Sequence, residues 1–315
     1  MQMRTVTVAY GPHRVEMLEL MEKRMKEHRV VILEEPEHPD FYRMLKRKAS
    51  IRRYLASGVY GFPRFILRAY RIYQEMCSRT NLSFYQVDPY MAVAKLLMQG
   101  KEAQTELEQR IWKCEHYVAG ALLRYYEATA AGSFEALVEA TKLFARADAY
   151  RNITRERMRA EGIADVVNNT EGDVYIEAGY IHLTLYLLLR KILRPPVKLR
   201  RLFLLREPIH GLSNLPWRQH LSPGDTLTLR YAFGKPARPS DNLLAAQNLV
   251  YVSLVSKEEK LPTPTVPFPH LTEELYLCRF VRRLTYRECH EFYVAGGQPR
   301  MDADYVKRLP DSRKP

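Results

Sequence analysis

The sequence predicts an α/β protein with a mostly parallel sheet, helices on both faces, two related strand–Gly-x-(x)-His–helix units and a long helical insertion. Three observations carry this prediction. Val6 to Tyr10 alternates like a strand, stops at Gly11-Pro12, and is followed by a helical stretch from Val15 to Glu27 with Met17, Leu18, Met21 and Met25 on one face. Val30-Val-Ile-Leu33 is then apolar throughout, as only a strand covered on both sides can be, so strand, helix and strand form a parallel βαβ unit. The device recurs where Asp173-Val-Tyr-Ile-Glu177 meets Ala178-Gly179 and His182 precedes the helical run Leu183 to Leu193, which ends before Pro195-Pro196.

Between these units, Arg43 to Arg71 holds nine Lys/Arg residues and no acid, with a break at Gly61-Phe62-Pro63, which reads as two basic helices around a kink. Phe65, Ile66, Ala69, Tyr70 and Tyr73 keep helical spacing and would face a core. Phe84 to Asp88 reads as a short strand, and a long helical stretch runs from Met91 through Tyr126 with interruptions near Gly100 and Gly120. Helices follow over Phe134 to Ala149 and Arg155 to Ile163. Leu199 to Leu205 and Thr226 to Phe233 read as strands, Asn242 to Glu259 and Glu273 to Arg283 as helices, and Leu261 to Pro269 as a stiff extended connector. The implied organisation is an α/β core with its insertion over residues 1–206, a part completing or capping it over 207–297, and a charged tail over 298–315.

Composition narrows the function classes. Hydrophobic residues at 46% and charged residues at 27% are ordinary globular usage and exclude a disordered or fibrous chain. A formal net charge of +13 favours anionic partners. The cysteines Cys77, Cys114, Cys278 and Cys289 have no metal-binding spacing and read as reduced thiols in a cytoplasmic protein. The first ten residues lack the apolar run of an export signal, and the longest apolar run, Ile181 to Leu189, is too short to cross a bilayer.

In an open parallel sheet, ligands bind outside the carboxyl ends of the strands. Three such ends carry notable residues: Gly11-Pro-His13, Glu34-Glu35 with His38 close behind, and Gly179-Tyr-Ile-His182. If the three strands are neighbours, His13, Glu34 and His182 would hold a divalent metal, manganese, cobalt, zinc or iron, and leave positions open for water. The bland alternative is that the histidines cap or pack helices and Glu34-Glu35 is a solvated strand end. His116, near Trp112 and Tyr117, reads as a packed side chain, and Asn152-Ile-Thr154 as a chance match to a glycosylation acceptor. No Gly-x-Ser-x-Gly elbow, P-loop, Gly-x-Gly-x-x-Gly or His-Glu-x-x-His is present.

Tyr10-Gly-Pro-His13 with its following helix, the strand ending at Glu34, Arg155-Glu-Arg-Met158 and Glu177-Ala-Gly-Tyr-Ile-His182 resemble, in this order, the motifs of the TIKI/TraB/ChaN/erythromycin-esterase superfamily. The resemblance runs from about Thr5 to Leu193. It implies that His13, Glu34 and His182 stand at the family's paired His/Glu positions, and that Arg155 or Arg157 points into the same crevice. It also implies hydrolysis of a peptide or ester, since metal-dependent peptide cleavage and esterase chemistry both occur in the family, beside haem-iron binding and pheromone shutdown. With a metal, bound water would be activated, the remaining glutamate, Glu34 or Glu35, would be general base, and the arginine would stabilise the oxyanion. Without one, a Glu/His pair would activate water directly.

The rival class is a non-enzymatic binder of an anionic ligand. Arg43 to Arg71 and the acid-free series Arg190, Lys191, Arg194, Lys198, Arg200, Arg201 and Arg206 would grip a phosphate backbone, an acidic partner or a membrane surface. A solvated helix face with core aromatics is the favoured reading of the first stretch, so nucleic acid is not the favoured partner.

Overall fold

The computed structural model describes residues 3–56 and 62–295. In chain order these form β1 (Arg4–Gly11), α1 (Leu18–Met25), β2 (Val30–Leu33), α2 (Phe41–Leu45), α3 (Ile51–Leu55), α4 (Pro63–Arg79), β3 (Ser83–Gln86), α5 (Pro89–Met98), α6 (Glu106–Ala131) and α7 (Phe134–Asn168). β4 (Val174–Gly179), α8 (Thr184–Ile192), β5 (Val197–Phe203), α9 (Arg206–Ser213), α10 (Pro223–Ala232), α11 (Ser240–Leu254), α12 (Pro269–Val281) and α13 (Tyr286–Ala295) follow. The fold is α/β, with one five-stranded sheet in the order β3-β2-β4-β1-β5 and every neighbouring pair parallel.

The apolar strands are the inner ones, as their sequences require. β2 is buried at every position, and β1 and β4 nearly so. On one face Val6, Val8, Ile32, Val174 and Ile176 pack with Ala160, Ile163 and Val167 of α7 and with Leu185 and Leu189 of α8. The opposite face meets α4 through the Tyr73–Phe84 ring contact, and His28, just after α1, bonds Thr7 of β1. The two glycine turns are adjacent: β1 pairs with β4 so that Gly11 stands opposite Gly179. Gly11 has no room for a side chain, since a Cβ there would meet Leu204 Cδ1 at 2.8 Å. In α4, Phe65, Ala69, Tyr70 and Tyr73 are buried as their spacing indicates, and Ile66 is half-buried.

The described chain divides into two compact units. One comprises Met1–Glu115, Arg151–His220 and Glu259–Pro269 and holds the sheet; the other comprises His116–Tyr150, Leu221–Glu258 and the chain from His270 onward. The second unit has its own core, in which Phe134, Leu137 and Val138 of α7 pack with Leu227, Leu249, Val250 and Leu277. Both long insertion helices, α6 and α7, contribute to both units.

Several sequence expectations need correction. Thr226 to Phe233 is helical, not a strand: Ser222 and Asp225 form a reciprocal capping box, and Pro223 occupies the first turn of α10. Local capping outweighs the alternation of Thr and Leu. Gly120 lies inside the continuous α6, whereas Gly100 does end a helix, with φ at +94°. Phe134 to Ala149 and Arg155 to Ile163 are parts of one helix, α7. His116 is exposed. Part of the expected Gly61-Phe62-Pro63 break, and the tail over 298–315, lie outside the described residues. All four cysteines are free. No described helix is long and apolar enough to cross a membrane.

Candidate functional site at the strand carboxyl ends

Because β3, β2, β4 and β1 are consecutive in the sheet, their carboxyl ends deliver Gln86, Glu34-Glu35, Glu177 and His13 to one rim. The turn after β4 adds His182, and α7 presents Arg155, Glu156 and Arg159 to the same residues. Positions 155 and 159 share a helix face, so both arginines reach the rim together. Arg157 is on the exposed side of α7. Arg155 is therefore the arginine of this site, and Arg157 is not part of it.

The deeper part is a lattice of buried charges centred on Glu34. Its Oε1 lies 3.0 Å from His182 Nε2 and 2.8 Å from Arg155 Nη2. Its Oε2 accepts from the Gly179 N–H at 2.6 Å and lies 3.4 Å from Arg159 Nη1. Burial alone would favour the neutral acid, but the positive charges of Arg159, His182 and Arg155 outweigh it and hold the carboxyl well below the usual range. His182 is gripped from both sides, with Nδ1 3.0 Å from Glu156 Oε1. Burial disfavours its charged form, yet Glu34 and Glu156 raise its pKa to about 9, so it is an imidazolium at neutral pH.

The remaining contacts fix this lattice. Thr184 Oγ1 donates to Glu156 Oε2. Arg155 Nε donates to Asp88 Oδ2 at 2.8 Å, and Asp88 also caps α5 by accepting from the Met91 N–H. Arg159, fully buried, donates through Nε to the Val87 carbonyl and through Nη2 to the Glu177 carbonyl. Each charge has partners, as buried charges require.

The outer part is partly open. His13 retains 38% side-chain exposure, and its Nε2 is 3.2 Å from Glu177 Oε1, an ion-pair contact without hydrogen-bond alignment. Its ring stacks on Phe65, with centroids 5.5 Å apart. Burial works against its charge, but the carboxylates of Glu177, Glu34 and Glu35 outweigh that effect and raise its pKa. Glu35 accepts from Tyr70 Oη and from Gln86 Nε2, the latter at 2.7 Å, and both bonds fall on Oε2. Burial raises the Glu35 pKa to about 7, the Tyr70 bond opposes that rise and the charge of Glu177 adds to it. His13 and Glu35 influence each other's titration directly.

The structure thus brings His13, Glu34, Glu35, His182 and Arg155 to one rim. The metal expectation for His13, Glu34 and His182 does not fit this arrangement. Both nitrogens of His182 face carboxylates, both oxygens of Glu34 face guanidinium groups, and a dication at Glu34 would be held against Arg155 and Arg159. Among the described residues, no cluster of three His, Cys, Asp or Glu side chains could hold a metal ion.

Sequence reasoning missed Asp88, Glu156, Arg159 and Tyr70. Spacing held a signal for two of these: Arg155, Glu156 and Arg159 fall on one helical arc, and an arc of two arginines and a glutamate on a buried helix calls for carboxylate partners.

The chain is similar to an uncharacterized protein of Archaeoglobus fulgidus, 28% identical over 293 residues that cover 93% of this chain and 99% of the relative. No family model and no solved structure matches it.

Proposed function

We propose that this chain is a hydrolase of the TIKI/TraB-like type, acting on an ester or peptide acyl group without a metal, through Glu35 and His13. The observation that carries the reading is the placing of two partly exposed groups at one rim, Glu35 with its pKa raised to about 7 and His13 with its pKa raised beside Glu177, each acting on the other's charge, next to the buried charge lattice. Perturbed titrations of neighbouring groups are a signature of acid–base chemistry. The motif order shared with that superfamily supports the same reading.

Glu35 as carboxylate removes a proton from water through Oε1, the oxygen that Tyr70 and Gln86 leave free. The water oxygen bonds to the acyl carbon. Protonated His13, whose charged form Glu177 favours, gives its proton to the leaving alkoxide or amine as the acyl bond breaks. The proton on Glu35 then returns to His13, directly or through solvent. Arg155, with 19% of its side chain exposed, is the rim cation that would supply charge to the oxyanion.

Glu34, Glu156, Asp88, Arg159 and His182 act as positioning residues, holding the strand ends in register. The test is a screen of p-nitrophenyl esters and fluorogenic peptides with wild type, Glu35→Gln and His13→Ala. Turnover lost by about a hundredfold or more in both variants, with the fold retained, is expected. Turnover unaffected by either substitution rejects the assignment.

A further inference from the structure

Three residues of the second basic series, Arg200, Arg201 and Arg206, come together at one concavity. β5 is an edge strand, and along its open side lies a cavity of about 480 Å³ lined by Tyr186, Arg200, Arg201, Arg206, Glu207 and Arg218 among others. None of these residues belongs to the His13/Glu35 crevice. Arg201 is stacked over the Tyr186 ring at 4.6 Å, which fixes its guanidinium. Glu207 is turned to Arg24, with 3.1 Å between Oε1 and Nη2. Arg200, Arg206 and Arg218 have no carboxylate within ion-pair distance among the described residues.

Edge strands often carry basic residues to deter pairing with another chain. That explains Lys198, Arg200 and Arg201, which lie on β5. It does not explain Arg206, at the start of α9, or Arg218, in the following loop, which converge on the same concavity from other segments. The outer row of β5 backbone N–H groups adds donors of the same sign. The lining holds four arginines and one glutamate, a surplus of three positive charges. A single carboxylate would leave most of that uncompensated, whereas a diphosphate group would match it, and guanidinium forks suit phosphate oxygens. The volume is that of a small-molecule site.

We propose that this cavity binds a small phosphorylated molecule through a diphosphate-like group, independently of the hydrolase reading. The test is calorimetric titration of the full chain with inorganic pyrophosphate at about 0.15 M salt. Wild type is compared with Arg200→Gln/Arg206→Gln, with Arg218→Ala, and with Arg52→Gln/Arg71→Gln in the other basic patch as control. All these arginines are exposed, so the variants keep their thermal midpoint. The expected result is saturable one-to-one binding, weakened about tenfold or more by each of the first two variants and unchanged in the control. No saturable binding overturns the proposal, as does equal weakening by the control. Tight binding of a single-stranded oligonucleotide that pyrophosphate cannot displace also overturns it.

Discussion

Glu34 and His182 meet at 3.0 Å between the carboxyl ends of β2 and β4, and their ion pair is locked by Arg155, Arg159 and Glu156. The consequence is a site with two electrical layers. The inner charges compensate one another, while Glu35, its pKa raised to about 7, and His13, its pKa raised by neighbouring carboxylates, are the partly exposed groups of the rim.

The inner pair makes stability depend on pH in a stated direction. The folded-state pKa of His182 is raised from 6.5 to about 9, so its contribution is full below about pH 6.5 and is lost as pH rises through about 9. Glu34 is depressed below 4.5, so its contribution is present above about pH 4.5 and is lost at lower pH. Urea unfolding across pH should therefore show greatest stability between these limits. In Glu34→Gln, the His182 imidazole resonances should titrate well below about 9, and unchanged titration would contradict the pairing.

Arg155 and Arg157 should separate sharply. Arg155→Ala leaves Glu34 and Asp88 without a shared cation and should cost about 3 kcal/mol or more in urea unfolding. Arg157→Ala, on the exposed side of α7, should change stability by no more than about 0.5 kcal/mol.

Much of this arrangement was legible in the sequence because strand ends are marked by local chemistry. Val30-Val-Ile-Leu33 could only be an inner strand, and the paired glycine turns brought His13 and His182 to one rim once Gly11 and Gly179 came into register. The residues that support Arg155 and Glu35 were not legible, since Asp88 and Tyr70 arrive from separate segments whose packing no local pattern encodes. The same limit turned the alternating Thr226-Leu-Thr-Leu229 into an apparent strand, when the deciding interactions were the caps before it.

Tyr70→Phe removes a hydrogen bond that favours the Glu35 carboxylate. The Glu35 pKa should then rise above about 7, moving the acid limb of the pH–rate profile to higher pH while the fold is retained. A shift to lower pH, or none, would show that Tyr70 does not tune this carboxyl.

Metal removal should have little effect. With His182 and Glu34 already ion-paired, dialysis against a chelator should leave the unfolding midpoint and turnover unchanged, and manganese or zinc titration should show no stoichiometric uptake. Near-stoichiometric metal lost in His13→Ala/His182→Ala would restore the metal-centred mechanism.

The central claim is that Glu35 and His13 form an acid–base pair, and the pH dependence of ester hydrolysis by wild type and Glu35→Gln tests it most directly. The account predicts a bell-shaped wild-type profile, with an acid limb near pH 7 from Glu35 and an alkaline limb above the ordinary histidine value from His13. In Glu35→Gln the acid limb disappears along with most of the activity. A variant that keeps both the rate and the acid limb would contradict the account.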